Sequence, residues 1–374
     1  MAVVGFTVKY ASTYGGLAAG TTVSNVQQVS ISQGRQAQLD QYQAGTCQIT
    51  IRYPTGYSSP ISAFVPGQII GVYDTDMIYS GFELFIGRIA DVEVDYGIPY
   101  SGGVGPTDYC ILTCESRYAE FGRMLGQGYV MAAGTGTAQL ATCQTQTGYN
   151  LTTINWGSYN PTFAGTTVNG TWGDWINQFV LTMNGRINED SAGLGILTQY
   201  STSTPSFEFS DVPTALSGIY PYQQIGFHSL ADNYYTQVTV TPESYAAQTA
   251  SSGSAPYRTY QVNTFNSSTS QATDYANYLL NNYKTPTVRI ASIGYSQNVQ
   301  VAVQRFFPST QYVGSRGSIT FRGTKYYCII EGYSYSATPD QISCTIYVSG
   351  QDLNAYFIID NPVYGTLNNN KLGY

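Results

Sequence analysis

Charge is scarce in this chain of 374 residues: Asp, Glu, Lys and Arg together make up 10% of it, against roughly 25% in an ordinary soluble domain. The balance is 15 Lys and Arg to 22 Asp and Glu, a formal net charge of −7. A grip on nucleic acid needs clustered basic residues and is not expected, although DNA passing without adhesion is compatible with this charge. Histidine is scarcer still. His228 is the one histidine, which excludes a histidine-coordinated metal site. Set between apolar neighbours, it reads as a satisfied structural residue rather than a lone general base. The cysteines Cys47, Cys110, Cys114, Cys143, Cys328 and Cys344 include no CxxC pair, and most alternate with apolar residues as buried free thiols do in strands. No run approaches the ~20 apolar residues of a membrane span. Met1–Tyr10 has neither the basic nor the apolar region of a signal peptide. Assembly in the cytoplasm that makes the chain, without membrane insertion, is the expectation.

Catalytic signatures are missing as well. There is no GxSxG elbow, no HExxH and no Gly-Lys-Ser/Thr phosphate loop. Gly134-Thr135-Gly136 lacks the strand–helix context of a dinucleotide site, and Asp74-Thr75-Asp76 lacks EF-hand spacing, so both read as turns. Glu83, Glu115, Glu120, Glu189, Asp190 and Glu208 are scattered carboxylates. Two of them facing one glycosidic bond would make a hydrolase, and that pairing depends on the fold. The expectation is a protein without catalytic activity, cofactor or metal.

What the chain has instead is Tyr, with 35 residues, and Gly, with 39. Tyr offers a stiff amphipathic surface suited to protein contacts; a β-rich protein with an uncharged polar surface has the same composition. Period-2 alternation dominates. It predicts strands over Thr46–Tyr53, Asp91–Tyr96, Tyr109–Cys114, Thr236–Thr241, Val299–Arg305, Tyr326–Ile330 and Ile342–Val348. The apolar alternation of Leu84 and Ile86 is not kept past Gly87, where Arg88 follows, which predicts a bulge near Gly87 and Arg88. On the Asp91–Tyr96 strand, Asp91, Glu93 and Asp95 share one face opposite Val92, Val94 and Tyr96. A plain solvent-facing strand and an acidic channel wall both fit that pattern.

Helical spacing of Trp172, Ile176, Phe179, Val180 and Met183 predicts a helix capped by Thr171 and ended by Gly185. A second runs from about Ser268 to Lys284, with Ser268 and Gln271 as a capping box, and a shorter turn falls within Glu115–Leu125. Gly- and Ser-rich stretches at 101–106, 133–137 and 250–255 read as loops. A faint repeat links 85–114 with 329–348. Each part reads as a strand, a Gly where it bends, a turn and a returning strand with Cys near its start, which points to a duplicated β-barrel.

A longer pattern carries a resemblance. Gly34-Arg35, Leu39-Asp40, Ala44-Gly45-Thr46, Pro66-Gly67-Gln68 and Phe85-Ile86-Gly87-Arg88-Ile89 come first. Trp172–Ile187, Glu189-Asp190, Gly193-Leu194-Gly195, Phe209-Ser210-Asp211 and Ile219-Tyr220-Pro221-Tyr222 follow. The order closes with Ser229–Val240, Thr269–Tyr283, Pro286–Ile290, Glu331-Gly332-Tyr333-Ser334, Thr338-Pro339-Asp340 and Phe357–Leu367. In this order over most of the chain, the segments resemble the tail hub, or minor tail, proteins of long-tailed bacteriophages. The family's acidic turn in the last domain is replaced by Val313-Gly314-Ser315-Arg316-Gly317, which puts any ion or partner contact shared there in doubt.

The resemblance implies a mainly β fold with inserted α+β: two tube-like antiparallel β-barrels per chain plus a smaller helical domain. The implied division is an N-terminal barrel domain at 1–115, an inserted α+β domain at 116–200, strands returning to the barrel region at 201–260, and a helix, second barrel and tail at 261–374. It implies a structural virion protein at the distal tip of the tail, a homotrimer joining the sixfold tail tube to a threefold tip and lining the DNA exit channel. Its partners would be a distal tail protein or tube ring, the tape-measure protein, and a central fibre or other tip proteins. A hexameric distal tail protein and a carbohydrate-binding tail adhesin remain as alternatives.

Overall fold

Alternating apolar residues draw this chain into strands, most of which join one 14-stranded sheet. The computed structural model describes residues 6–53, 64–74, 82–96, 108–154, 160–189, 193–197, 207–212, 219–228, 234–285, 289–298 and 313–350. Within the sheet, two sets of strands follow the same plan. The first is β1 (Phe6–Ala11), β2 (Val26–Gly34), β3 (Thr46–Tyr53), β4 (Ile69–Asp74), β5 (Phe82–Asp95) and β6 (Asp108–Ser116). The second is β7 (Glu208–Ser210), β8 (Gln224–His228), β9 (Arg289–Asn298), β10 (Arg316–Phe321), β11 (Thr324–Ala337) and β12 (Gln341–Gly350). In space the first runs β1-β4-β5-β6-β3-β2 and the second β7-β10-β11-β12-β9-β8. The plans differ only at the first strand, antiparallel to β4 in one set and parallel to β10 in the other.

The correspondence extends to single residues. β5 and β11 are both 14 residues long. Ile89 exchanges backbone hydrogen bonds with Gly67 and Gln68 (2.8 and 2.9 Å), and Ile330 does so with Gly314 and Ser315 (2.7 and 3.0 Å). In both strands the next residue, Ala90 or Glu331, is bulged out of the ladder to the returning strand. Cys110 and Cys344 then occupy the same register position and are both buried. The repeat read from the sequence is therefore a repeat of topology, but its glycines are not equivalent: Gly332 corresponds to Asp91. The bulge lies at Ala90, after the predicted Gly87 and Arg88. The alternation is carried across that point by a ladder slip, which sequence spacing locates only to within a few residues.

One pairing joins the two sets, β2 antiparallel to the second half of β11, from Gly332↔Gly34 to Ala337↔Val29. The described strands thus form a continuous branched sheet in which neither set closes into a barrel.

Between the sets lie α1 (Tyr118–Arg123), α2 (Gly136–Thr147) and α3 (Trp172–Thr182). Thr171 and Asp174 make the reciprocal capping box of α3, a cap of about 1 kcal/mol. Its predicted apolar stripe is buried, with Trp175 against Phe179 and Phe265. Asn184, in the left-handed region at φ 49, turns the chain out of the helix one residue before the predicted Gly185. The 133–137 loop is instead a short strand and the start of α2. The sequence of α2 has no apolar stripe; its threonines return their hydroxyls to carbonyls four residues back.

Residues 201–260 divide. β7 and β8 join the large sheet, whereas Gln237–Pro242, Gln248–Ser251 and Thr259–Thr264 pair only with one another. α4 (Thr269–Tyr283), begun by Ser268, covers that small sheet with Ala272, Ala276, Leu279 and Leu280. The Gln271 amide oxygen completes the cap from Ser267 rather than from Ser268. The Val299–Arg305 strand, the 101–106 loop and the 357–367 motif lie outside the described residues.

All the cysteines are free and buried. Burial pushes the thiol of Cys110 up to about 11 and that of Cys328 to about 12, and raises Cys47, Cys114 and Cys143 as well. A thiol held protonated and out of solvent reacts slowly. Alkylation of native protein at neutral pH should therefore leave every cysteine unmodified, whereas alkylation in denaturant without reductant should modify all of them. A Cys328–Cys344 crosslink in a mass spectrum would contradict this.

Candidate functional site

In a chain with so few charges, burying several of them together needs a reason. Glu331, Arg35 and Arg186 are 0%, 4% and 2% exposed. The Glu331 carboxylate accepts from Arg35 Nε at 2.8 Å and from Arg186 Nη2 at 2.6 Å, and Ser349 Oγ also donates to it. Arg35 donates to the carbonyls of Asp40 (3.1 Å) and Gly185 (3.4 Å) and lies over the Tyr42 ring at 4.7 Å. Arg186 donates to Asn184 O at 2.7 Å. Burial by itself would push the Glu331 carboxyl up; the two guanidiniums and Ser349 outweigh it and hold it down at about 2.

A second carboxylate sits beside this group. Glu189 accepts from Gln33 Nε2 (2.9 Å), Ser116 Oγ (2.9 Å) and the Tyr118 backbone N–H (3.0 Å). Burial raises its pKa; these hydrogen bonds and Arg117 offset only part of that rise.

The network joins the three parts of the chain. Gln33, Arg35 and Ser116 belong to the first strand set, Arg186 and Glu189 to the inserted strand Arg186–Glu189, and Glu331 and Ser349 to the second set. The bulge supplies its centre, since Glu331 is the residue expelled from the β11–β12 ladder. Close backbone contact supplies its register. A Cβ on Gly34 would come within 2.4 Å of Glu331 O, and one on Gly332 within 2.4 Å of Gln33 O. Only glycine fits at this crossing.

The other carboxylates singled out in the sequence face partners of their own. Glu120 pairs with Arg88 at 2.8 Å, Glu208 with Lys325 at 2.6 Å, and Glu115 with Arg123; Asp190 lies outside the described residues. Asp174 and Glu243 line a cavity of about 40 Å³. Asp174 serves the α3 cap and Glu243 accepts from Thr167 N. Among the described residues no three His, Cys, Asp or Glu are grouped to hold a metal. Asp91, Glu93 and Asp95 are exposed on one face of β5, with Val92 and Val94 half-buried on the other. His228, expected as a satisfied structural residue between apolar neighbours, is exposed at the end of β8, a strand with one pairing partner among the described residues.

Sequence reasoning did not assign the buried network, although Gly34-Arg35, Glu189 and Glu331-Gly332 all belong to the segments that carry the resemblance. The available signal was an acid beside Ile329-Ile330, in a strand whose other charge is Lys325 near its start.

No protein-family model and no curated protein sequence matches the chain. Solved structures do. A tail protein from Neisseria meningitidis superposes with a TM-score of 0.64 at 11% identity, covering 93% of this chain and 97% of that one. A 43 kDa tail protein of prophage MuSo2 from Shewanella oneidensis gives 0.61 at 11% identity, over 92% and 98%. An E. coli component of the type VI secretion system, described as similar in structure to the T4 tail proteins gp27 and gp5, gives 0.53 at 9% identity, over 88% and 74%. The fold is that of phage tail proteins.

Replacing Glu331 with Gln leaves two buried guanidiniums facing a neutral group and should lower stability by about 3–5 kcal/mol, read by urea or thermal unfolding. Because the folded pKa of Glu331 is depressed, its contribution is present above the unfolded value of about 4.3 and is lost as pH falls through about 2. E331Q should flatten the acid limb of the stability profile. An unchanged limb would show that Glu331 does not govern it.

Proposed function

We propose that this chain is the tail hub of a long-tailed bacteriophage, a structural virion protein without catalytic activity. The observation that carries the reading is the repeated strand plan, set on a fold shared with phage tail proteins. A tube built of sixfold rings meets a threefold tip most simply through a trimer whose subunits each present two similar units, because three chains then offer six equivalent surfaces. The two strand sets supply such a pair. On this reading they act as the two tube-like barrels in the assembled ring. The domain division is then a unit at 1–115, an inserted α+β part at 116–200, a connecting region at 201–260 and a second unit at 261–374.

The hub would be assembled in the host cytoplasm and sit at the distal tip of the tail. It would contact the distal tail protein or tube ring, the tape-measure protein, and a central fibre or other tip proteins. Asp91, Glu93 and Asp95 are candidates for a wet acidic wall past which DNA moves without adhesion. Hydrogen-bonded, half-buried Tyr residues and few free charges suit a permanent interface, whose core excludes charge.

A reconstruction of the tail tip without imposed symmetry should show three copies of this chain per tail. Six copies would favour the hexameric distal tail protein. Glycan binding by isolated protein, with no place in a tip ring, would favour the adhesin. Purified protein should clear no host cell-wall material in a zymogram. Clearing that is lost on replacing one carboxylate would show an enzyme.

A further inference from the structure

Among the described residues, only one of two equivalent strand edges is covered. In the second set, β11 beyond its bulge has β12 on one side and β2 on the other. In the first set, β5 beyond its bulge has β6 on one side. Its other side takes no backbone partner among the described residues. The strand that corresponds to β2 is β8, which among the described residues pairs with β9 alone. The joint inside the chain is thus one step of a head-to-tail relation. It uses the β2 edge and the β11 edge and leaves over a β8 edge and a β5 edge of the same kinds. A reciprocal β5–β8 pair would have closed the two sets on each other, and the chain does not make it.

We propose that β8 of a second copy of this chain adds as an antiparallel strand to residues 90–96 of the first, repeating between copies the β2–β11 joint made within one. This inference rests on the reading of the chain as a ring-forming subunit. The register follows from the shared ladders. Val29 and Ile225 stand opposite Ile49 and Ile293, and Asp95 and Ser336 stand opposite Tyr109 and Ser343. Within the chain, Ala337 faces Val29 and Tyr335 faces Ile31. Between copies the same positions set Tyr96 against Ile225 and Val94 against Phe227.

The side chains fit that register. The intramolecular pairs are apolar and buried: Tyr335, Ile31, Ala337 and Val29 are at most 2% exposed. Their counterparts are apolar and less buried: Tyr96 is 56% exposed, Phe227, whose ring packs on Phe321, is 37% exposed, and Val94 and Ile225 are half-buried. On the opposite face, Ser334 and Ser336 meet Ser32 and Ser30 within the chain. Between copies Glu93 meets His228, whose neighbour on β9 is Arg289, and Asp95 meets Gly226. An acidic strand thus faces the chain's single histidine. An uncovered edge with open apolar residues is a liability in a monomer. Strand addition removes it through main-chain hydrogen bonds, with alternate side chains setting the specificity. A head-to-tail contact of this kind closes into a ring when its rotation permits.

The test uses assembled tails and purified full-length chain. Cysteines at Val94→Cys and Phe227→Cys, on opposing strands, should crosslink copies to each other under mild oxidation. Both are made in a Cys110→Ser background, because Cys110 stands opposite Val94 on β6 and would compete within the chain; the other native thiols are buried. Either substitution alone, or Val94→Cys with Gly226→Cys on the other face, should give less than about a tenth of that product, since opposed Cβ atoms lie about 5 Å apart. Should the substituted chains fail to assemble, hydrogen exchange of the wild type decides. The amides of residues 90–95 and 224–228 should be protected in assembled tails, and rapid exchange there would overturn the proposal. Three copies per tail without the Val94–Phe227 crosslink would overturn this joint and leave the hub reading standing. Six copies with the crosslink would keep the joint and remove the hub reading. Crosslinking or protection of residues 90–96 by a different protein would overturn the choice of a second copy.

Discussion

The structure depends on a single carboxylate held between two guanidiniums. Glu331 lies at the point where the first strand set, the insertion and the second set meet, and it pairs with Arg35 from one and Arg186 from another. A buried ion pair of this kind is weak evidence for net stability, because desolvation takes back most of the Coulombic gain. Its value here lies in register. A slip of one residue between β2 and β11 would turn every side chain of that joint to the wrong face. It would also strand three charges without partners. Gly34 and Gly332 enforce the same register sterically.

Duplication and divergence share one bulge. At Ala90 the bulge leaves an exposed methyl and an edge that no described strand covers; at Glu331 it turns a carboxylate into the joint and the edge is covered. One topology therefore yields a version of the contact that is made within the chain and one that the described residues leave unmade, the asymmetry on which the proposed head-to-tail joint rests. The low charge of the sequence belongs to the same design. Arg35 and Arg186 pair with Glu331 at the joint, whereas the acids of β5 are exposed on one strand face, opposite the half-buried Val92 and Val94.

Much of this was legible before any fold was known. Thr46–Tyr53 and Ile342–Val348 alternate cleanly, and both are strands with those apolar residues inside. The stripe and cap of α3, and the start of α4 at Ser268, follow from i, i+3 and i+4 spacing and short-range hydrogen bonding. The order of motifs pointed to tail proteins, and the fold agrees. α2 was not legible, because its buried face is Gly136, Gln139, Leu140 and Cys143, too few apolar residues among Thr, Gln and Ala to carry a periodic signal. Nor was the sheet of Gln237–Thr264, since alternation shows that a strand exists and not which strand it joins.

The sequence by itself determined local state: which residues alternate, where helices begin, that the thiols are apolar neighbours and that charge is rare. These are properties of residues a few positions apart, set by backbone periodicity and capping. Only the tertiary structure decided which distant residues meet. Arg35 and Glu331 are separated by 296 positions, and no local spacing relates them. Their pairing, the equivalence of Ala90 with Glu331, and the exposure of His228 come from ladder registers and from which edges the chain covers. These are fixed by long-range packing, in which one residue of slip changes every contact.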